Sequence, residues 1–185
     1  MVFSSLTFLF AFMPITFILY YLVPLKAKNV IIMISGIVFY AWGEPLYVFA
    51  MLLSTAIDYC AGLLMHKYDD NPKIRTACLI VSLLMNLGLL GTFKYLGFII
   101  NSVNAWFGWE IANPNLPLPI GISFFTFQSM SYTIDLYRRN IKVQKNPVSF
   151  IGFVSLFPQL VAGPIVRYED IQNEIDNRTI TEKMV

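Results

Sequence analysis

Long uncharged, apolar runs alternate with short charged clusters along this chain, and the lengths of the runs predict its elements. Phe3 to Val23 is free of charge throughout, long enough as a helix to cross the ~30 Å hydrocarbon layer. Pro14 in its middle predicts a kink, tolerated in a membrane where neighbours re-satisfy the freed carbonyl. Val30 to Trp42 is short for a straight crossing. Gly43-Glu44-Pro45 then breaks the pattern, and Leu46 to Met65 resumes it with Asp58 as its only charge. Together these two runs predict a tight helical hairpin with Tyr40 and Trp42 at an interface. Ala77 to Phe93, extendable through Lys94 to about Ile100, predicts the next span, followed by a polar, aromatic connection from Asn101 to Asn115. Leu116 to Ile134 predicts another. Val148 to Val166 is interrupted by Pro158, Gly163 and Pro164, which predicts a broken or re-entrant segment of the kind tolerated at membrane depth only where protein or a wet cavity surrounds it.

Charge gives these spans a direction. Lys26 and Lys28 follow the first run, Lys67, Lys73 and Arg75 lie in a segment read as a polar loop from His66 to Thr76, and Arg138, Arg139, Lys142 and Lys145 follow the fifth. The intervening segments at Gly43 to Pro45 and Asn101 to Asn115 carry no Lys or Arg. By the positive-inside rule the basic segments face the cytoplasm and the N-terminus lies outside, with Lys94 as an intramembrane or snorkelling exception. The expected fold is all-α and polytopic, with about five to six membrane segments. Residues 1–166 form its membrane part. Residues 167–185 begin a cytoplasmic amphipathic segment that stops in mid-pattern, as if the chain were cut there.

Composition agrees and removes other classes. Hydrophobic residues make up 57% of the 185 residues and charged ones 13%, where globular proteins average about 25% charged. Disordered, coiled-coil and disulfide-scaffold classes are thereby excluded. A net charge of +2 gives no basic field for nucleic acid. Cys60 and Cys78 sit in or beside apolar runs and read as small buried hydrophobes. His66, the only histidine, reads as solvated surface, so there is neither a metal-ligand set nor a catalytic motif.

Polar residues inside the runs carry what chemistry there is, because they are costly in a membrane. Gln128, Ser131, Tyr132 and Asp135 recur at three- and four-residue steps on one helical face that ends at Arg138 and Arg139. That face reads either as the lining of a substrate passage, with a guanidinium offered to an anion, or as interhelical hydrogen bonding with an Asp135–Arg139 pair. Asp58, with Ser54 and Thr55, forms a similar face, and a buried pair between Asp58 and Lys94 is conceivable beside a snorkelling Lys94.

Several strings are similar to the membrane-bound O-acyltransferase family, in its bacterial alginate O-acetyltransferase branch. They are the N-terminal Met1-Val2-Phe3-Ser4-Ser5, the string Phe39-Tyr40-Ala41-Trp42-Gly43-Glu44-Pro45, and Phe93-Lys94-Tyr95. The stretch from Leu118 to Gln128 is a further match, and the most specific are Ser131-Tyr132 through Asp135-Leu136-Tyr137-Arg138 and Phe157 through Gln159 and Gly163 to Ile165. The resemblance runs essentially end to end.

The resemblance implies a bacterial inner-membrane enzyme that moves an acetyl or other acyl group from a cytoplasmic donor, acetyl-CoA or another acyl carrier, to hydroxyls of an exported polysaccharide. Periplasmic or extracellular acetylation proteins are the implied partners. No bound cofactor is expected. The family's histidine base lies in a C-terminal half, and no position here matches it. The chain is therefore expected to be an N-terminal portion with no catalytic residue of its own, inactive unless a complementary half is supplied. Gln128, Tyr132, Asp135, Arg138, Gln159 and Gly163 would line the passage or contact substrate. The alternatives are a subunit of a polysaccharide transporter or export complex, favoured by the broken segment, and a non-catalytic membrane scaffold.

Overall fold

A computed structural model describes residues 5–162 and 166–176 of the chain. The described residues form helices and connections only. The chain enters through a π-helical turn at Phe8–Phe12, which passes into α1 (Met13–Leu22). The Met13 amide donates to the Phe8 carbonyl, the wider π spacing. Pro14 explains the widening, since it lacks an N–H and its ring crowds the carbonyl four residues before it. The expected kink is thus a π segment leading into the proline.

A 3-10 turn at Leu25–Ala27 precedes α2 (Lys28–Gly43). The helix begins earlier than its apolar run because Lys28 is 4% exposed and holds its ammonium over the rings of Tyr20 and Tyr21, where the ring faces attract the cation. The run that looked short for a crossing thus becomes a continuous helical stretch from Leu25 to Gly43. Gly43 to Leu46 turns the chain into α3 (Tyr47–Lys67), completing the hairpin. His66 lies in the last turn of α3, and Pro72 to Thr76 already belong to α4, which corrects the polar loop read from His66 to Thr76.

The longest element, α4 (Pro72–Phe107), is started by the Asn71 side chain, which accepts from the amides of Lys73 and Ile74, and stopped by Gly108 in the left-handed region. Its 36 residues extend roughly 54 Å, well beyond one hydrocarbon thickness. The segment Asn101–Phe107, read from sequence as connection, is the continuation of this helix, because polar and aromatic residues such as Asn104 and Trp106 suit a helix leaving the bilayer. Leu25–Gly43, Tyr47–Lys67 and Pro72–Phe107 are long and apolar enough to cross a membrane. Among the shorter helices, α5 (Ile122–Tyr137) begins later than its uncharged run, since Pro117 and Pro119 keep the approach extended.

After α5 come α6 (Pro147–Val154), α7 (Phe157–Ala162) and α8 (Tyr168–Asp176). Helix α3 packs on both α4 and α5, α4 on α5, and α2 on α6. Tyr40, Met51, Met65, Phe125, Tyr132 and Phe150 lie at the centre of the core, while Phe8, Phe39 and Phe157 form a separate aromatic cluster toward one end. Outward faces are strongly apolar: Phe10 is 76% exposed, Leu46 77% and Phe98 71%, as lipid-facing positions require. Cys60 is also exposed, which corrects its reading as buried; a lipid-facing apolar run places a cysteine outward as readily as inward.

Contacts between the connections fix the two ends of the bundle. The Tyr47 hydroxyl donates to the Pro117 carbonyl at 3.2 Å, so the connections without Lys or Arg share one end. Arg139 donates to Asp69 at 3.3 Å, and the amide of Asn29 donates to Ser149 Oγ at 2.9 Å and to the Ile175 carbonyl at 3.2 Å. The basic segments therefore share the other end. Both the start of α6 and the end of α8 lie there, with the break at Ser155 and Leu156 between α6 and α7.

Candidate functional site

Helix α5 organises the polar interior. Its Gln128, Tyr132 and Asp135 fall on one face at helical spacing and are all buried. The Gln128 amide nitrogen donates to the Phe153 carbonyl at 2.9 Å and to Gln159 Oε1 at 2.7 Å. It thereby links α5 to the carbonyl end of α6 and to α7, next to the break where backbone groups leave the helical ladder. The Tyr132 hydroxyl accepts from the Gln144 amide at 3.1 Å, and the Gln144 side chain donates to the Tyr168 hydroxyl at 2.8 Å. Ser131 bonds back to the Gln128 carbonyl at 2.8 Å, as hydroxyls in apolar helices commonly do. Asp135 is 3% exposed, and its Oδ2 has no hydrogen-bond partner.

A second polar nucleus joins α3, α4 and α5. The Asn86 amide donates to Asp58 Oδ1 at 2.8 Å and Oδ2 at 2.9 Å, Ser82 donates to Asp58 Oδ1, and Ser54 donates to Asn86 Oδ1. Ser129 and Thr133 of α5 complete the surround of the carboxylate. Asp58, Ser82, Ser129 and Thr133 are each fully buried. Such a group is stable at membrane depth only when its hydrogen-bonding capacity is met.

At the basic end, buried Arg75 of α4 donates to the carbonyls of Leu136 at 3.2 Å and Tyr137 at 2.8 Å, and pairs with Asp69. It thus satisfies the orphan carbonyls at the C-terminus of α5.

The structure brings Gln128 and Gln159 into direct contact and places Tyr132 and Asp135 on the same buried face. Arg138 is exposed, and Gly163 lies outside the described residues. Asp58 meets Ser82 and Asn86 and not Lys94, whose ammonium reaches Ser123 Oγ at 3.5 Å beside the Tyr95 ring. The conceivable Asp58–Lys94 pair is thereby corrected: Lys94 stands two turns beyond Asn86 along α4, where its ammonium lies beside Ser123. The Asp135–Arg139 pair is corrected too. Helix α5 ends at Tyr137 and Arg139 adopts φ +64°, so the four-residue spacing no longer stacks the two side chains, and Arg139 turns to Asp69. Sequence reasoning passed over Ser82, Asn86, Arg75, Asp69 and Gln144. For Ser82 and Asn86 a signal existed, since they are polar positions one helical turn apart inside an uncharged run.

Gln159 also lines a cavity of about 180 Å³ between α2, α6 and α8, with Asn29, Ser149 and Glu174 on its wall. Among the described residues no cluster of His, Cys, Asp and Glu could hold a metal ion.

These features define a polytopic helical membrane protein with a hydrogen-bonded polar interior. The chain is homologous to alginate O-acetylases. It is 37% identical over 98% of its length to the protein named "Probable alginate O-acetylase AlgI" of Pseudomonas syringae pv. tomato, covering 36% of that relative. It is 38% identical over 98% of its length to the protein of the same name from Azotobacter vinelandii, covering 37% of it. A peptidoglycan O-acetyltransferase of Helicobacter pylori is 30% identical over 96% of the chain, which covers 39% of that relative. The chain thus spans little more than a third of the length of the curated relatives it matches. The kinship read from its sequence strings is borne out by these relatives. No family model and no solved structure matches it.

Proposed function

We propose that this chain forms part of a membrane O-acetyltransferase that transfers an acetyl group from a donor on the cytoplasmic side to hydroxyls of an exported polysaccharide. The observation that carries this reading is the homology, extending over nearly the whole chain, to O-acetylases named for alginate and for peptidoglycan. In this reading the basic end faces the cytoplasm of a bacterial inner membrane, the N-terminus lies outside, and an acyl carrier such as acetyl-CoA serves as substrate. Acetylation proteins beyond the membrane would receive or modify the product.

The residues of this chain would act as walls and positioning groups. The Gln128–Gln159 contact would hold the broken α6–α7 segment against α5 and so set the width of the passage between donor and acceptor. Tyr132, Asp135 and Arg138 would contribute to the same wall, with Gly163 following Gln159. None of these groups is the base, and His66, at the exposed end of α3, has no carboxylate bonded to it among the described residues to orient its ring. The 185-residue chain by itself would accordingly transfer no acetyl, and robust transfer by the purified chain would contradict this part of the reading. In cells expressing the full-length protein, Gln128→Leu, Arg138→Gln and Gln159→Leu should lower the acetyl-ester content of the exported polymer. Unaltered acetylation in all three would overturn the assignment.

A further inference from the structure

The basic end holds a half-open cavity of about 370 Å³ lined by His66, Asp69, Arg75, Arg139, Lys142 and Lys145 together with apolar side chains. Among the described residues, four Lys and Arg thus line one space with a single carboxylate on its wall. That carboxylate is already shared, because Asp69 pairs with both Arg75 and Arg139. Among the described residues neither Lys142 nor Lys145 is in an ion pair. Gathering like charges in one cavity costs free energy that a bound anion would return.

The loop carrying the lysines is fixed. Ile141 and Gln144 are buried while Lys142 and Lys145, each next in sequence, are exposed. The Gln144 amide is held by Tyr132, the Lys142 amide donates to Gln172 Oε1 at 3.3 Å, and the Lys145 carbonyl accepts from the Tyr59 hydroxyl at 2.6 Å. Arg139 is held in the left-handed region at φ +64°, an uncommon conformation for a residue with a side chain. The cations are thus presented by anchored backbone. Guanidinium and ammonium groups so arranged suit a phosphate, whose oxygens accept several charge-assisted hydrogen bonds at once.

We propose that this cavity is a phosphate-binding site, occupied by a phosphate monoester or diester that engages Arg139, Lys142 and Lys145. The inference stands independently of the acetyl-transfer reading, since it uses none of that reading's residues as reacting groups. The phosphate can come from a lipid headgroup or from a soluble phosphorylated molecule, and one experiment separates the two.

The full-length protein is placed in phosphatidylcholine nanodiscs and titrated with inorganic pyrophosphate at constant ionic strength, with its Tm as readout. A saturable rise in Tm is expected, with half-saturation weakened about tenfold in Lys142→Gln/Lys145→Gln, as loss of a charge-assisted hydrogen bond implies. Arg139→Gly, which suits the positive φ while removing the charge, should weaken it similarly. Lys26→Gln, a basic position outside the cavity, should leave it unchanged. If phosphatidylglycerol in the disc raises the Tm of the unsubstituted protein but not of the double variant, and suppresses the pyrophosphate response, the occupant is a headgroup. A pyrophosphate response that survives in those discs identifies a soluble ligand. The proposal is overturned if neither phosphate source raises Tm, if sodium chloride alone reproduces the rise, or if the substitutions at Arg139, Lys142 and Lys145 leave it unchanged.

Discussion

Asn86 on α4 donates to both carboxylate oxygens of Asp58 on α3, at 2.8 and 2.9 Å, and so ties the two longest apolar helices together at the middle of their lengths. Removal of the donor leaves a buried carboxylate under-satisfied. Asn86→Leu is expected to cost about 2 kcal/mol of stability, whereas Asp58→Asn, which keeps one accepting oxygen and sheds the buried charge, should cost less than about 1 kcal/mol. Unfolding of the detergent-solubilised variants by thermal or denaturant titration provides the comparison. Equal losses would indicate that the negative charge itself, beyond the bonds it accepts from Asn86 and Ser82, stabilises the helix pair.

Two glycines should respond in opposite directions to the same substitution. A Cβ on Gly36 of α2 would collide with the backbone carbonyl of Ser155, next to the break between α6 and α7, where the backbone cannot yield without moving a helix. Gly36→Ala is therefore expected to cost about 3 kcal/mol or to prevent folding. Gly88 of α4 has, among the described residues, nothing within 4 Å of the position its Cβ would occupy, so Gly88→Ala should raise stability by roughly 0.5–1 kcal/mol through helix propensity. Tm values of the two variants in one detergent test the pair.

The stretches that were legible in the sequence are those in which one residue type decides the outcome. Absence of charge marked α2, α3 and most of α4, and Gly43-Glu44-Pro45 marked the turn between the first two. Polar positions at helical spacing marked the buried face of α5 from Gln128 to Asp135. The end of α4 escaped because charge and apolarity report where a helix leaves the bilayer, not where it stops; the helix runs on to a left-handed Gly108. Partners distant in sequence escaped as well. Arg75 finds the α5 carbonyls 61 and 62 residues away, and nothing local to Arg75 distinguishes it from Lys73.

Arg75 and Arg138 should differ sharply although both are arginines near the same end. The Arg75 guanidinium bonds two carbonyls and Asp69 in a fork that an ammonium cannot reproduce, so Arg75→Lys is expected to cost roughly 1–2 kcal/mol. Arg138 is exposed, and Arg138→Lys should change stability by less than about 0.5 kcal/mol. Chemical denaturation of both variants distinguishes them. Because Arg138 also lies beside the proposed passage, Arg138→Gln combines with this result to separate an effect on acetylation from an effect on folding.

The hydroxyl of Tyr132 is the acceptor for the Gln144 amide at 3.1 Å, one of the bonds that fasten the 138–146 loop, beside those of Tyr59 to the Lys145 carbonyl and of the Lys142 amide to Gln172. The Tyr132 ring packs against Phe150 at 4.5 Å and Tyr168 at 5.1 Å between centroids, so Tyr132→Phe removes the acceptor while retaining the packing. The Gln144 N–H then loses that acceptor, at a cost of about 1–2 kcal/mol. Local opening of the loop should account for part of that loss, so hydrogen exchange at the amides of residues 140 to 146 is expected to quicken more than exchange in α3 and α4. Uniform acceleration across all helices would show instead that the hydroxyl supports the bundle as a whole. A loop loosened in this way should also bind phosphate less tightly if Lys142 and Lys145 depend on its anchoring, since the ordering of the lysines would then have to be supplied at the moment of binding.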